Sequence, residues 1–397
     1  MFRWILLLLF TALAAYEIGQ LDSWIRIALA GSSVCTALRI LSAFAVIVLS
    51  LIPLLTQTKL GREDALPRDL LLIGNLWLGI LMAGGVLLLL MQLGALVYRH
   101  VSGSVIRPAA AGVVLLAVLI LISAIIGYGF YNARRITVKT YTVDLTEASS
   151  SGRHGQMTAV LVGDLHISSN TTVRQIRKIV TRINREDPDV VLFAGDYFSS
   201  TMHGIEDEAG YIKALRGIRA PQGVYGVYGN HDVEEPILFG FSLQKKEDSR
   251  RSPRMTRFVE RAGITILDDD SAELEDGAIR LIGRIDGETS GTDKKGRKSA
   301  QELLSGSEPE TPVIVLEHEP FDLDELGKSG ADLILSGHTH GGQIFPGNYI
   351  IRLFNENSYG RKKAAGAVSI VTSGAGCYGP PIRIGSRSEI VTLHIRY

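Results

Sequence analysis

The first 131 residues of this chain carry runs of Leu, Ile, Val, Ala and Gly too long for a soluble core, and an ordinary soluble composition follows them. A bilayer-crossing helix needs about 20 mostly apolar residues, because hydrocarbon offers the backbone no hydrogen-bond partner but itself. Residues 40–56, 71–98 and 109–131 meet that demand. A buried soluble helix is a poor reading of 71–98, which is too long and holds no Lys, Arg, Asp or Glu. The run 109–131 is equally uncharged, so neither offers an ion or proton path and the default role is anchoring. A fourth stretch, Trp4 to about Gly19, is shorter and ends near Glu17. Alone it has the form of a signal-peptide core, with Arg3 ahead of it and Ala12-Leu13-Ala14 resembling a cleavage site. Further spans follow directly, so four helices in a membrane domain, residues 1–131, is the better reading.

Lys and Arg in short loops set the orientation. With four spans, one side receives Arg3, Lys59, Arg62, Arg68, Arg134, Arg135 and Lys139, and the other Arg26, Arg39, Arg99 and Arg107. Seven against four favours a cytoplasmic C-terminal domain over an extracytoplasmic one. Removal of the first stretch would not change this, since three remaining spans still end inside. Cys35 and Cys377 are too few for a disulfide framework and leave the compartment open. Lys+Arg and Asp+Glu are 41 each, so no global basic field argues for a nucleic-acid partner.

Beyond the spans, residues 132–156 read as a lead-in and linker. Ile136 to Leu145 alternates as a strand does, and Glu147 to Gln156 is Ser/Gly-rich. From residue 157 to 397, short apolar strands alternate with helical stretches, the pattern of an α/β sheet covered by helices. Within 171–186, Val173, Ile176, Ile179, Val180 and Ile183 share one helical face, and Asp189 to Phe193 reads as a buried strand. The segment 239–254, with Lys245, Lys246, Arg250 and Arg251, reads as a polar surface insertion.

The histidines carry the chemistry. Five of nine fall in polar clusters that follow apolar runs: Gly163-Asp164-Leu165-His166, Gly229-Asn230-His231-Asp232, Glu317-His318 and Ser336 to Gln343, which contains His338 and His340. A fifth cluster, Gly195-Asp196, follows Val190 to Phe193 in the same way. Ligands of open α/β sheets bind beyond the carboxyl ends of the strands, so these tips are expected at one rim. Asp164 and His166, like His338 and His340, are two apart, which an extended backbone points to one side. Carboxylate, imidazole and one amide, without thiolate, suit divalent Mn, Fe or Zn. Asp164, His166, Asp196, Asn230, His318, His338 and His340 exceed what one ion needs and match a two-cation site with a bridging carboxylate. Singly, each cluster is an ordinary turn or cap; the set is not. His100, His154, His203 and His394 stand outside it.

As a set, Asp164-Leu165-His166, Gly195-Asp196, Gly229-Asn230-His231-Asp232, His318 and Gly337-His338-Thr339-His340 resemble the calcineurin-like metallophosphoesterase superfamily. Ser336 to Gln343 looks like the subgroup with bacterial membrane-associated phosphoesterases and a UDP-diacylglucosamine pyrophosphatase of lipid A synthesis. The resemblance implies two sheets sandwiched by helices over roughly 136–397. It also implies one metal on Asp164, His166, Asp196 and His340, and a second on Asp196, Asn230, His318 and His338, with Asp196 bridging. Two positions depart from the pattern: Ser199 stands where many members have a second Asp, and Gly163 where Ser is common.

Such a site hydrolyses a phosphomonoester, phosphodiester or pyrophosphate: two cations polarise the phosphoryl group and turn a bridging water into a hydroxide nucleophile. His231 is the expected general acid, with Asp232 orienting its ring. The membrane anchor suggests a lipid-linked substrate, or equally a tether for a phosphodiesterase of soluble esters. The alternative is a membrane-bound metal sensor or scaffold without turnover.

Overall fold

A computed structural model describes residues 2–55, 66–148, 154–202, 204–243, 249–287, 297–306 and 311–397. The chain packs as two units: Met1–Tyr131 with Ile237–Leu243 and Gly379–Ile382, and Asn132–Pro236 with Gln244–Tyr378 and Arg383–Tyr397. Lys59, Arg62, His203, Lys245 and Lys246, which entered the sequence reading, lie outside the described residues.

The first unit holds four helices long and apolar enough to cross a membrane: α1 (Phe2–Ala28), α2 (Cys35–Leu55), α3 (Arg68–Ser102) and α4 (Pro108–Ala133). Each begins or ends beyond its apolar run. The largest correction is α1, whose 27 residues continue past Gly19 and bury Glu17. The Glu17 carboxyl lies against Gly84, where a Cβ would come within 2.7 Å of Oε1. Facing the bundle is the expected place for a charge-bearing residue in a span. Trp77 donates to Ser50 Oγ at 3.0 Å, and Gln20 to Gln92 Oε1 at 2.8 Å.

The same unit corrects the reading of 239–254 as polar surface. A hairpin, β5 (Ile237–Leu238) and β6 (Phe241–Ser242), buries Leu238 and stacks Phe239 on Phe10 with centroids 4.2 Å apart. The apolar start of the segment dictates this, whereas its charges come later in the chain.

The second unit is a sandwich of two six-stranded sheets. The first sheet runs β1 (Thr137–Asp144), β14 (Glu389–Arg396), β2 (Gln156–Val162), β3 (Val190–Ala194), β4 (Val224–Val227) and β7 (Thr265–Ile266). The second runs β12 (Gly360–Ala364), β13 (Ala367–Val371), β11 (Leu333–Ser336), β10 (Val313–Leu316), β9 (Ile279–Gly283) and β8 (Asp270–Leu274). Strands β2, β3 and β4 are parallel, as are β9, β10 and β11.

Side chains that alternate along these strands separate the layers. Met157, Ala159, Leu161, Leu192, Leu316 and Leu335 fill the core between the sheets. Val160, Val162, Val191 and Phe193 face outward to α5 (Val173–Arg185), α6 (Glu208–Leu215) and α7 (Pro253–Arg261). Val313, Val315 and Ile334 face α8 (Ala300–Leu304) and α9 (Leu323–Lys328) on the opposite side. A Thr172–Gln175 capping box starts α5, and Ile176, Ile179, Val180 and Ile183 bury its apolar face. The parallel strands of both sheets thus end on loops that carry the polar clusters.

Candidate metal centre

Asp164 and His166 follow β2, Asp196 follows β3, Asn230 and His231 follow β4, His318 follows β10, and His338 and His340 follow β11. The loops are not extended, contrary to the alternation expected for Asp164/His166 and His338/His340. Asp164 (φ 54°), His166 (45°), Asp196 (55°), His338 (72°) and His340 (54°) all adopt left-handed backbone. Non-glycine residues enter that region at a cost, and such strain concentrates at functional sites. Glycines let the loops approach: a Cβ on Gly195 would meet Gly229 N at 2.7 Å, and one on Gly229 would collide with the Asp196 carboxylate.

Ligand atoms of Asp164, His166 and His340 lie within 4.8 Å of one another, as do those of Asp164, Asp196 and His318. Asp164 belongs to both groups, and Asp196 Oδ2 of the second lies 3.5 Å from His166 Nε2 and 3.3 Å from His318 Nε2. Asn230 Oδ1 is 2.9 Å from His318 Nε2 and 3.2 Å from His338 Nδ1. All seven expected ligands therefore come together, while His100, His154 and His394 are exposed elsewhere.

The donor set fits cations. His166 Nδ1 lies 3.0 Å from Phe198 O, and His318 Nδ1 lies 2.7 Å from Ala194 O. Donation to those carbonyls leaves each Nε2 as a lone pair facing the centre, the usual arrangement behind a metal-bound imidazole. His166 Nε2 and His340 Nε2 are 2.9 Å apart, and the buried Asp164 Oδ2 has no hydrogen-bond partner among the described residues. Burial holds His166 neutral, its pKa down to about 3, and lifts the Asp164 carboxyl to about 7. Burial also opposes ionisation of Asp196, but His318 and His231 outweigh it and keep the carboxyl pKa well below its ordinary value. Converging lone pairs around buried carboxylates call for positive charge.

Asp232 has a different task from the one expected of it. Its carboxylate accepts from the backbone N–H of Asp196 (2.9 Å), Phe198 (3.0 Å) and Gly229 (2.8 Å), and no contact to the His231 ring is seen. It ties the β3 and β4 loops together. The His231 ring instead meets Ser200 Oγ through Nδ1 at 2.7 Å and stacks on Tyr378 at 4.1 Å. Ser200 Oγ donates in turn to Glu235 Oε1 at 2.9 Å. Sequence reading missed these three residues. It also missed the fully buried Arg383, whose guanidinium donates to the carbonyls of Ser373, Gly376 and His340 and braces the loop against Asp164. Nothing in the residue types singles them out.

Residues 157–342 match the family described as calcineurin-like phosphoesterase. This is a metallophosphoesterase domain. A Helicobacter pylori protein described as an uncharacterized metallophosphoesterase is 29% identical over 284 residues, 68% of each chain. A Danio rerio transmembrane protein with metallophosphoesterase domain is 29% identical over 321 residues, 77% of this chain and 68% of that one. An Aquifex aeolicus metallophosphoesterase, 27% identical over 271 residues, matches over 68% of this chain and 95% of its own length. The family uses a two-cation centre, the gathered His and Asp groups could hold divalent metals, and four apolar helices precede the domain in the chain.

Proposed function

We propose that this chain is a membrane-anchored hydrolase that cleaves a phosphoester or pyrophosphate bond of a lipid-linked substrate on the cytoplasmic side. The observation that carries the hydrolytic reading is one carboxylate oxygen of Asp196 within 3.5 Å of both His166 and His318, beside two donor groups that share Asp164. Asp164, His166, Asp196 and His340 would hold one divalent cation, and Asp196, Asn230, His318 and His338 the second. When bound, such a pair supplies Lewis acidity toward the phosphoryl oxygens and an activated water.

The protein does the rest. Asp196 accepts from the His231 backbone N–H at 2.8 Å, which fixes the general-acid loop to the bridging carboxylate. Because Ser200 Oγ donates to Glu235, it accepts from His231 Nδ1–H, which turns Nε2 toward the departing oxygen. Tyr378 covers the ring face and limits its rotation.

The test is turnover of an aryl phosphodiester by the full-length protein in detergent with added Mn. Activity should vanish with a chelator and return with metal. His231→Ala should keep its metal and lose about a hundredfold or more in kcat. Asp196→Ala should lose both ions by elemental analysis. A fully metallated wild type without turnover on any phosphoester would favour the sensor or scaffold reading.

A further inference from the structure

Among the described residues of the second unit, every exposed large apolar side chain lies between Phe345 and Tyr359. Leu353 is 79% exposed and Phe354 72%, with Phe345, Tyr349 and Ile350 about half exposed or more. A concentrated apolar patch on a unit that otherwise buries its large apolar residues marks a contact surface.

The patch is built, not frayed. It occupies a short helix, α10 (Gly347–Ile350), and the 3-10 turn Ile351–Leu353. Tyr349, Ile350, Leu353 and Phe354 are spaced to share one side of that coil. Phe345 N–H donates to Ile384 O at 2.7 Å, and Asn355 Nδ2 to Ile351 O at 2.9 Å, so the backbone is held while the rings point out. Thr339, between the candidate ligands His338 and His340, donates its hydroxyl to Ser358 O at 2.7 Å. The patch therefore starts five residues after His340 and is tied back to the same loop.

Its charge fits an anionic lipid surface. From residue 344 to 366 the basic residues are Arg352, Arg361, Lys362 and Lys363, against one acidic residue, Glu356. The three on β12 are exposed, and the Arg352 guanidinium lies 5.6 Å from the Tyr349 ring centre. Aromatic and leucine side chains bordered by Arg and Lys are the composition of segments that lie in the headgroup–acyl boundary. A bilayer is also within reach, because only residues 134–136 intervene between α4 and β1, a contour of roughly 10 Å.

We propose that residues 345–354 are a bilayer-docking segment that brings the His338–His340 loop to the lipid surface. The docking does not depend on the hydrolytic reading; its consequence, delivery of a lipid-phase phosphoester to the site, rests on it.

The test uses the full chain in nanodiscs containing anionic phospholipid, with Cys35→Ser and Cys377→Ala as background. A nitroxide is placed through Leu353→Cys, or as control through Asp324→Cys, a position of α9 that is exposed. In power-saturation measurements the position-353 label should be accessible to oxygen and shielded from an aqueous nickel chelate, and the position-324 label the reverse. Equal chelate access at both overturns the docking. Dipolar broadening of the 353 label, which reports a second copy of the chain on the patch, also overturns it. For delivery, the double variant Leu353→Asp/Phe354→Asp should turn over a soluble aryl phosphodiester within twofold of wild type. Its hydrolysis of a disc-embedded phospholipid should fall at least tenfold. Equal loss on both substrates, or retention on both, overturns delivery. If neither protein hydrolyses either substrate, the hydrolytic reading fails while the spin-label result still decides docking.

Discussion

The His231 imidazole is positioned by residues that its own motif does not contain. A hydroxyl that donates to a carboxylate must accept from a ring nitrogen, so the Glu235–Ser200–His231 chain selects the Nδ1–H tautomer. Ser200→Ala removes that restraint without touching a metal donor. The expected result is a fall in kcat of about tenfold, smaller than for loss of the imidazole itself. KM and metal content should hold, and Ser200→Thr should recover most of the rate. An equal fall in metal occupancy would instead make Ser200 part of the scaffold. The seven donors were legible because each sits in a short polar cluster after an apolar run. Ser200 was not, since its partner lies 31 residues away and only the joining of the β3 and β4 loops reveals it. Asp232 misled for a related reason: adjacency in sequence to His231 says nothing of direction, and its carboxylate turns back onto amides.

At the scale of elements, strand positions follow from alternation of apolar residues, and the ends of β2, β3, β4, β10 and β11 fall within a residue or two of the apolar runs. What alternation cannot show is the left-handed backbone beyond those ends, because it is imposed by contacts between loops from different strands. Asp232 is the clearest such contact. Three backbone amides depend on it, and all three would be left without an acceptor in Asp232→Ala. An unsatisfied buried amide costs about 1–3 kcal/mol. The variant should therefore show a lower thermal midpoint, and its metal affinity should fall because Asp196 is no longer held between His166 and His318. Asp232→Asn, whose amide oxygen still accepts, should lose less on both counts. Unchanged metal affinity in Asp232→Ala would return Asp232 to a direct role beside His231. The hairpin at Phe239 teaches the opposite lesson about elements. Its Leu-Phe-Gly-Phe run is apolar in plain sight, and the basic residues that follow it concealed this.

For the molecule as a whole, the number of spans and the side of the phosphoesterase domain are one question. Four crossings would return the chain to the side on which it starts, placing the start of α1 and the residues after α4 in one compartment. Arg3, in the first turn of α1, and Lys139, beyond α4, are both exposed and mark those two ends. The basic residues assigned to the opposite side are partly matched by acid there: Asp22 binds Arg26 at 2.7 Å and Arg39 at 2.5 Å. Acidic residues contribute little to the orientation rule, so this pairing leaves the seven-to-four bias in force. With Cys35 and Cys377 replaced, Arg3→Cys and Lys139→Cys should both resist a membrane-impermeant maleimide in intact cells and react after permeabilisation. Reaction of both in intact cells would place the domain outside and invert the orientation. Reaction of only one would mean an odd number of crossings, and one of the four helices would then have to lie outside the bilayer or be removed. The helix most exposed to that outcome is α1, because its apolar run is shortest and it alone carries a buried carboxyl, Glu17, in mid-span.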